Sequence, residues 1–201
     1  MAYHVFTAAD VEHMLRSSEG EPTAHRGERP GHSGALHLLL TNAELLKRYE
    51  DMIRAEEANR QRRREQARAR GEKYRPGGPI YRMVTAFAQL PEMIAAGVAL
   101  LNTRQAQAGI TDMFIGSHAG EGTRLEIDYT SPAAVLMRFV SGHHVTTMPV
   151  HQLTMILDRV RDRPLGLHVQ TFFGGAVLGP GVNRAVLYAQ NGAELLGYPG
   201  W

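Results

Sequence analysis

The residues of this sequence best suited to moving protons are histidines, and two of them, His32 and His37, lie five positions apart. An imidazole titrates near neutral pH, so it can take up or release a proton under ordinary working conditions. His37 is also enclosed by leucines, at position 36 and at 38–40, a context that suits a buried histidine with no chemical role. The residue types alone leave both interpretations of His37 open.

A second chemically distinctive feature is a basic cluster at residues 60–75. Its basic residues outnumber its acidic ones eight to two, a local charge of +6, whereas the whole chain carries only +2. The basic members are Arg60, Arg62, Arg63, Arg64, Arg68, Arg70, Lys73 and Arg75. Such a cluster suits a polyanion such as RNA, because neutralised phosphates release their counterions. A solvated helix face is the simpler interpretation of the same charges.

Several other kinds of site are excluded by composition. The chain has no cysteine, which removes disulfides, thiolate zinc sites and cysteine nucleophiles together. It contains no phosphate-binding P-loop, no H-E-x-x-H and no G-x-S-x-G motif. His143 and His144 are adjacent, so on a strand they would point to opposite faces and make a poor metal pair. We therefore expect neither a metal nor another cofactor.

The 201 residues are enough to bury a substantial core, and 43% of them are apolar against 21% charged. No uninterrupted apolar stretch of about 18 residues is present, so we expect no membrane insertion. The first residues lack the basic and apolar regions of a secretory signal. The oligomeric state has no signature in the sequence.

Helical patterns occupy the first half of the chain. Thr7 can cap a short helix over residues 7–16, and residues 17–34 have the Gly, Pro and Ser content of a linker. Thr41 and Glu44 form a capping box that begins a second helix. Its apolar stripe ends at Ile53, and an arginine-rich continuation can extend into solvent as far as Gly71.

The second half changes character. A third helix is predicted from Pro91 to about Gly109, followed by a weaker segment at 110–116. Strand patterns follow at 124–130, 135–140, 145–160, 165–173 and 184–190, and residues 80–87 are either a strand or an extended approach. Helices followed by strands predict an α+β fold, with N-terminal helices packed on a C-terminal antiparallel sheet and no disulfides.

The order of the motifs adds a resemblance. His32, His37, Thr41-Asn42, the Leu45-Leu46 pair and Arg48 come first, and a helix, the strand RLEIDY and finally LHVQTFFGG follow. This series resembles the bacterial RNase A-like toxin domains found at the C-termini of contact-dependent growth inhibition proteins and other polymorphic toxins. The resemblance covers residues 31–174, with a basic helical insertion at about 54–79. Residues 1–30 would form an N-terminal helix and linker, and 175–201 a C-terminal extension.

The resemblance implies catalytic roles for His37, Arg48 and Thr171. Metal-free RNA cleavage needs a base, an acid and a group that stabilises the charged phosphorane. Histidine can be the base or the acid, arginine can grip a phosphate with two hydrogen bonds, and threonine can donate one. The alternatives are a buried His37, an exposed helix charge at Arg48 and an ordinary strand hydroxyl at Thr171.

One departure concerns the second half of the site. The tyrosine of the family's Thr-x-Tyr signature is Phe173 here, so the phenol is missing. Thr171 and Phe173 should share a strand face and His168 should lie on the other, unless a bulge redirects it. His32 could supply the missing acid, as could His143, His144 or His151.

The resulting expectation is a metal-independent endoribonuclease toxin, secreted or injected, that cleaves RNA in the cytoplasm of a competing cell. The resemblance also implies a cognate immunity protein, and an acidic inhibitor surface would match the basic cluster. The alternatives are a catalytically inactive RNA-binding or protein-interaction module, and an assembly protein whose arginine-rich helix docks on a partner.

Overall fold

The computed structural model describes residues 4–19, 40–74, 84–116, 119–120, 122–175 and 183–199. Within these ranges the helices are α1 (Ala8–Ser18), α2 (Asn42–Ala69), α3 (Leu90–Leu101) and α4 (Arg104–Ile115). The strands are β1 (Thr85–Phe87), β2 (Arg124–Ser141), β3 (His144–Arg159), β4 (Leu167–Gly174), β5 (Arg184–Tyr188) and β6 (Glu194–Pro199).

The strands form one antiparallel sheet in the order β4-β3-β2-β5-β6, and β1 pairs with the C-terminal half of β2. The predicted α+β class, with helices ahead of an antiparallel sheet and no disulfides, is confirmed. β5 and β6 extend the same sheet from the C-terminal part of the chain. β6 was not predicted, since Gly197 and Pro199 interrupt its apolar pattern.

The long β2–β3 hairpin is the frame of the sheet. Gly142 makes the turn with a positive φ of 60°, a conformation that costs glycine little. The segments predicted as separate strands at 124–130 and 135–140 are one strand, with a register irregularity between Thr130 and Val135. At this irregularity the His151 Nδ1 lies 2.9 Å from the carbonyl oxygen of Ser131.

The prediction of one helix from Pro91 to Gly109 was wrong. The segment forms α3 and α4, and residues 110–115 belong to α4. The break occurs where the Thr103 side chain accepts a hydrogen bond from the backbone N–H of Ala106 and so caps α4. A capping threonine competes with helix continuation because its hydroxyl replaces a backbone acceptor.

The main hydrophobic core lies between one face of the sheet and helices α1, α3 and α4. Its fully buried side chains come from every layer, including Met14, Leu100 and Ile110 from the helices and Leu125 and Phe172 from the sheet. α1 also shields the outer edge of β4, where the Ser18 hydroxyl accepts a hydrogen bond from the Val169 N–H at 2.8 Å. That contact satisfies an edge donor that has no neighbouring strand.

Helix α2 packs on the opposite face, at the far end of the hairpin. Leu45 is fully buried there against Val84, Ala86 and Val140, with Tyr49 and Met52 beside it. Leu45 is the only fully buried residue of α2, and beyond Ile53 the helix extends into solvent, as the loss of its apolar stripe predicted. None of the described helices is long and apolar enough to cross a membrane.

Candidate active site

The sheet face opposite the main core carries polar side chains in three cross-strand rows. Strand register defines the rows, because residues directly opposite each other in antiparallel pairs share a face. The first row is His168, Asp158, Arg124, Tyr188 and Glu194; the second is Thr171, Ile156, Glu126, Val186 and Gly197; the third is Phe173, Thr154, Asp128, Arg184 and Pro199. We call this surface the polar face.

A bulge in β4 brings His168 onto this face. The register shifts between Leu157–Val169 and Ile156–Thr171, which leaves Gln170 as an extra residue in β4. Strict alternation predicts that His168 and Thr171 face opposite sides of the sheet. That prediction was wrong, because the bulge adds one residue to the strand between them. His168 has no exposed surface, so it cannot touch a substrate from this position.

The first row is held by a buried ion pair. Arg124 donates to the two carboxylate oxygens of Asp158, at 2.7 Å from Nε and 2.9 Å from Nη2. The Asp158 side chain is fully buried and that of Arg124 is 16% exposed. Two parallel hydrogen bonds to one carboxylate fix the guanidinium in a single orientation.

The third row has a comparable arrangement around Asp128, which is 6% exposed. One carboxylate oxygen accepts from the Thr154 hydroxyl at 2.7 Å, and the other accepts from Arg184 Nε at 2.9 Å. The pKa of Arg184 is raised, chiefly by this hydrogen bond to Asp128. Both aspartates of the polar face are therefore engaged by arginines.

Glu126 occupies the middle row between these two pairs. Its directly opposite neighbours, Ile156 and Val186, are apolar. Within the described part of the chain its half-buried carboxylate makes no hydrogen bond or ion pair at contact distance. Burial, followed by repulsion from Asp128, raises the pKa of Glu126, while Arg184 and Arg124 oppose that shift.

Thr171 and Phe173 lie on the polar face, as their spacing predicted. Thr171 is opposite Ile156 in the middle row, and Phe173 is opposite Thr154 in the third row. Both are partly exposed, whereas Phe172 between them is fully buried in the main core. Phe173 therefore presents an aromatic ring without a hydroxyl on the polar face.

Arg48 lies on α2, on the helix stripe that also carries Leu45, Tyr49 and Met52. These residues are three or four apart, so they share the side of α2 that packs on the sheet. Burial lowers the pKa of the half-buried Arg48 guanidinium, which nonetheless stays charged throughout the physiological range. α2 sits on the same side of the sheet as the polar face, but it packs at the far end of the hairpin beside Val140, whereas Thr171 lies opposite Ile156. The structure therefore does not bring Arg48 beside Thr171.

His32 and His37 fall outside the described residues, and their roles stay predictions. The predicted RNA-binding residues of the basic cluster up to Lys73 lie on the solvent-directed half of α2 and just beyond it. Arg60 is 3.5 Å from Glu56, and the Arg64 guanidinium lies 5.5 Å from the ring centre of Tyr74. Arg62 donates to Asn59, while Arg63, Arg68, Arg70 and Lys73 are exposed.

Sequence reasoning missed Arg124, Glu126, Asp128, Asp158 and Arg184. The signal was present in RLEIDYT, where Arg124, Glu126 and Asp128 alternate with three apolar residues and so define one charged strand face. Their partners on β3 and β5 depend on register, which a single sequence does not contain. No group of three or more metal-ligating side chains occurs within the described ranges.

Comparison with known proteins gives one structural likeness. No protein-family model matches the sequence, and no curated protein matches it either. The fold is similar to a chain in the crystal structure of the CdiA-CT/CdiI complex from Y. kristensenii 33638, with 22% sequence identity and a TM-score of 0.43. The match covers 71% of this chain and 99% of the other.

Proposed function

We propose that this protein is a metal-independent endoribonuclease that acts as a toxin inside a competing bacterial cell. The reaction is transesterification: the 2′-oxygen of RNA attacks the adjacent phosphorus, and the products are a 2′,3′-cyclic phosphate and a free 5′-hydroxyl. The observation that carries the proposal is the polar face, where Thr171 lies in one row with the partly buried Glu126 on the side of the sheet opposite the main core.

The chemistry of these side chains suits a phosphate. The Thr171 hydroxyl can donate to a non-bridging phosphate oxygen, and the Arg48 guanidinium can stabilise the additional negative charge of the phosphorane. Arg48 is half-buried on the sheet-facing stripe of α2. In this proposal His37 removes the 2′-hydroxyl proton as general base.

The extended half of α2 supplies affinity for RNA. About 28 residues of helix span about 42 Å, so its arginines can follow a phosphate backbone well beyond the sheet. Long-range attraction by such a cluster raises the rate of encounter with a polyanion. A producing cell would need an immunity protein, and an acidic inhibitor surface that contacts α2 would suit this role.

The deciding experiment incubates the purified chain with total RNA in EDTA. Cleavage that survives chelation and yields 2′,3′-cyclic phosphate ends supports the proposal, provided that His37→Ala abolishes it. Unchanged cleavage by His37→Ala would overturn the site assignment. Thr171→Val is the companion variant, because it removes the hydroxyl and keeps the shape of the side chain; we expect at least a tenfold loss in kcat/KM.

A second candidate function is an inactive RNA-binding module of the same fold. It is favoured by Phe173, which has no hydroxyl at the position of the family's tyrosine. Under this alternative, RNA binds to the purified protein and remains intact. Expression separates the two cheaply, since a nuclease toxin should arrest bacterial growth on induction and the His37→Ala variant should not.

A further inference from the structure

We propose that Glu126 is the general acid that protonates the leaving 5′-oxygen, and so replaces the phenol that Phe173 lacks. This inference rests on the proposed ribonuclease function. It arises from the middle row of the polar face, where Thr171 and Glu126 project from the same side of the sheet with only Ile156 between them.

The separation of the two residues suits a phosphate. Adjacent strands are about 4.8 Å apart, so residues two strands apart in one row have backbones about 10 Å apart. Thr171 and Glu126 thus flank Ile156 on one face of the sheet, a spacing that a phosphodiester can bridge. In this proposal, a phosphodiester that accepts a hydrogen bond from Thr171 lies across Ile156 with its leaving oxygen toward Glu126.

The surroundings of Glu126 leave its carboxyl group available. Asp128 and Asp158 are buried and bound by Arg184 and Arg124, whereas Glu126 is only partly buried and makes no such bond within the described ranges. The titratable and charged groups facing it are Arg124 and Asp128 on β2, Asp158 on β3, and Arg184 and Tyr188 on β5. Burial among these groups favours the protonated form that an acid requires.

The other candidates on this face are less well placed. His168 has no exposed surface, and Phe173 has no ionisable group. Tyr188 does carry a phenol, and its pKa is raised by burial and by Glu126 and Glu194. Its strand, however, is three positions from β4 in the sheet, one further than Glu126.

The 2′-oxygen bonds to phosphorus while its proton passes to His37, and the bond from phosphorus to the 5′-oxygen breaks. The departing 5′-oxygen takes the carboxyl proton of Glu126, which leaves a carboxylate on Glu126 and an imidazolium on His37. Proton exchange with water restores both groups, and no metal or other reactant is consumed.

The test compares two substrates that differ in their leaving group, UpA and uridine 3′-(4-nitrophenyl phosphate). Nitrophenolate departs without protonation, so only UpA depends on the acid. For Glu126→Gln we expect kcat/KM on UpA to fall by about 10² to 10⁴, the usual contribution of general acid–base catalysis, with less than a tenfold change on the ester. Equal loss on both substrates, or no loss on UpA, would overturn the inference.

Two further variants keep the outcomes distinct. Glu126→Asp retains an acid but withdraws it by one methylene, so it should lose activity on UpA alone, and equal loss on both substrates again counts against the inference. Glu12→Gln, on the exposed side of α1, is the matched control and should cleave both substrates normally. If His37→Ala is inactive while Glu126→Gln is fully active, the ribonuclease proposal stands and Glu126 is not its acid. If His37→Ala stays active, the proposed site itself fails.

Discussion

Arg124 and Asp158 form a two-pronged ion pair that lies directly across β2 and β3, with hydrogen bonds of 2.7 and 2.9 Å. The pair neutralises two charges at a place where the sheet is nearly shielded from water. The pair lies in the row that begins at the buried His168, next to the row of Glu126. The ion pair thus shapes the electrostatic surroundings of the site without being exposed enough to bind a substrate.

Removal of the Asp158 carboxylate should therefore lower the stability of the folded protein. Asp158→Ala leaves the Arg124 guanidinium buried without its partner, and we expect the free energy of unfolding to fall by about 3 kcal/mol. Urea denaturation measures the difference. Glu12→Ala breaks the exposed Glu12–Arg16 pair of α1 and should cost less than about 0.5 kcal/mol. A double variant, Arg124→Met with Asp158→Leu, should recover most of the lost stability; similar losses in all three variants would contradict this interpretation.

Replacement of Glu126 by an uncharged residue should, in contrast, stabilise the folded protein at neutral and basic pH. Its pKa is raised in the folded protein by burial and by Asp128. A raised carboxyl pKa means that folding favours the protonated form, so the contribution of Glu126 is most favourable at acidic pH and is lost as the pH rises through the folded-state pKa. Glu126→Gln should then raise the thermal midpoint at pH 8 and leave it nearly unchanged at pH 4. A stabilising removal of a half-buried carboxylate is typical of functional sites, which trade stability for activity.

The part of this fold that local patterns determine was predictable. Thr7 and Thr41 cap α1 and α2, as the sequence predicted. The polar face was not predictable, because it depends on pairing between residues as far apart as Arg124 and Asp158 and on the extra residue Gln170 in β4. A single bulge reverses the face of every residue beyond it, and nothing in LHVQTFF distinguishes a bulged strand from a regular one.

The extended half of α2 should govern the salt dependence of RNA binding. Arg63 and Arg68 are both exposed there, and each phosphate contact to single-stranded RNA contributes about 0.7 to the slope of log K against log salt. Arg63→Gln with Arg68→Gln should therefore reduce the slope by up to about 1.4 and raise KM, with kcat unchanged. Fluorescence anisotropy over a salt series measures the slope. Arg16→Gln with Arg104→Gln removes two exposed charges outside α2, and an equal effect from that pair would show that only net charge matters.

The cap at Thr41 should connect stability to catalysis through Arg48. The Thr41 hydroxyl accepts from the Glu44 N–H at 3.3 Å, and the Glu44 carboxylate accepts from the Thr41 N–H at 2.7 Å. Arg48 is two turns into the helix that this capping box begins, so fraying of the first turn loosens the guanidinium. We expect Thr41→Ala to cost about 1 kcal/mol and to lower kcat by up to about fivefold, the population ratio that such an energy sets.

Thr103→Ala is the matched control, because Thr103 caps α4 on the core side of the sheet with the same kind of hydrogen bond. It should cost a similar free energy of unfolding and leave kcat unchanged at temperatures well below the midpoint. Parallel denaturation and RNA cleavage assays measure both quantities. If the two variants lose activity in equal proportion to stability, the effect of Thr41 is on folding alone and Arg48 does not depend on the start of α2.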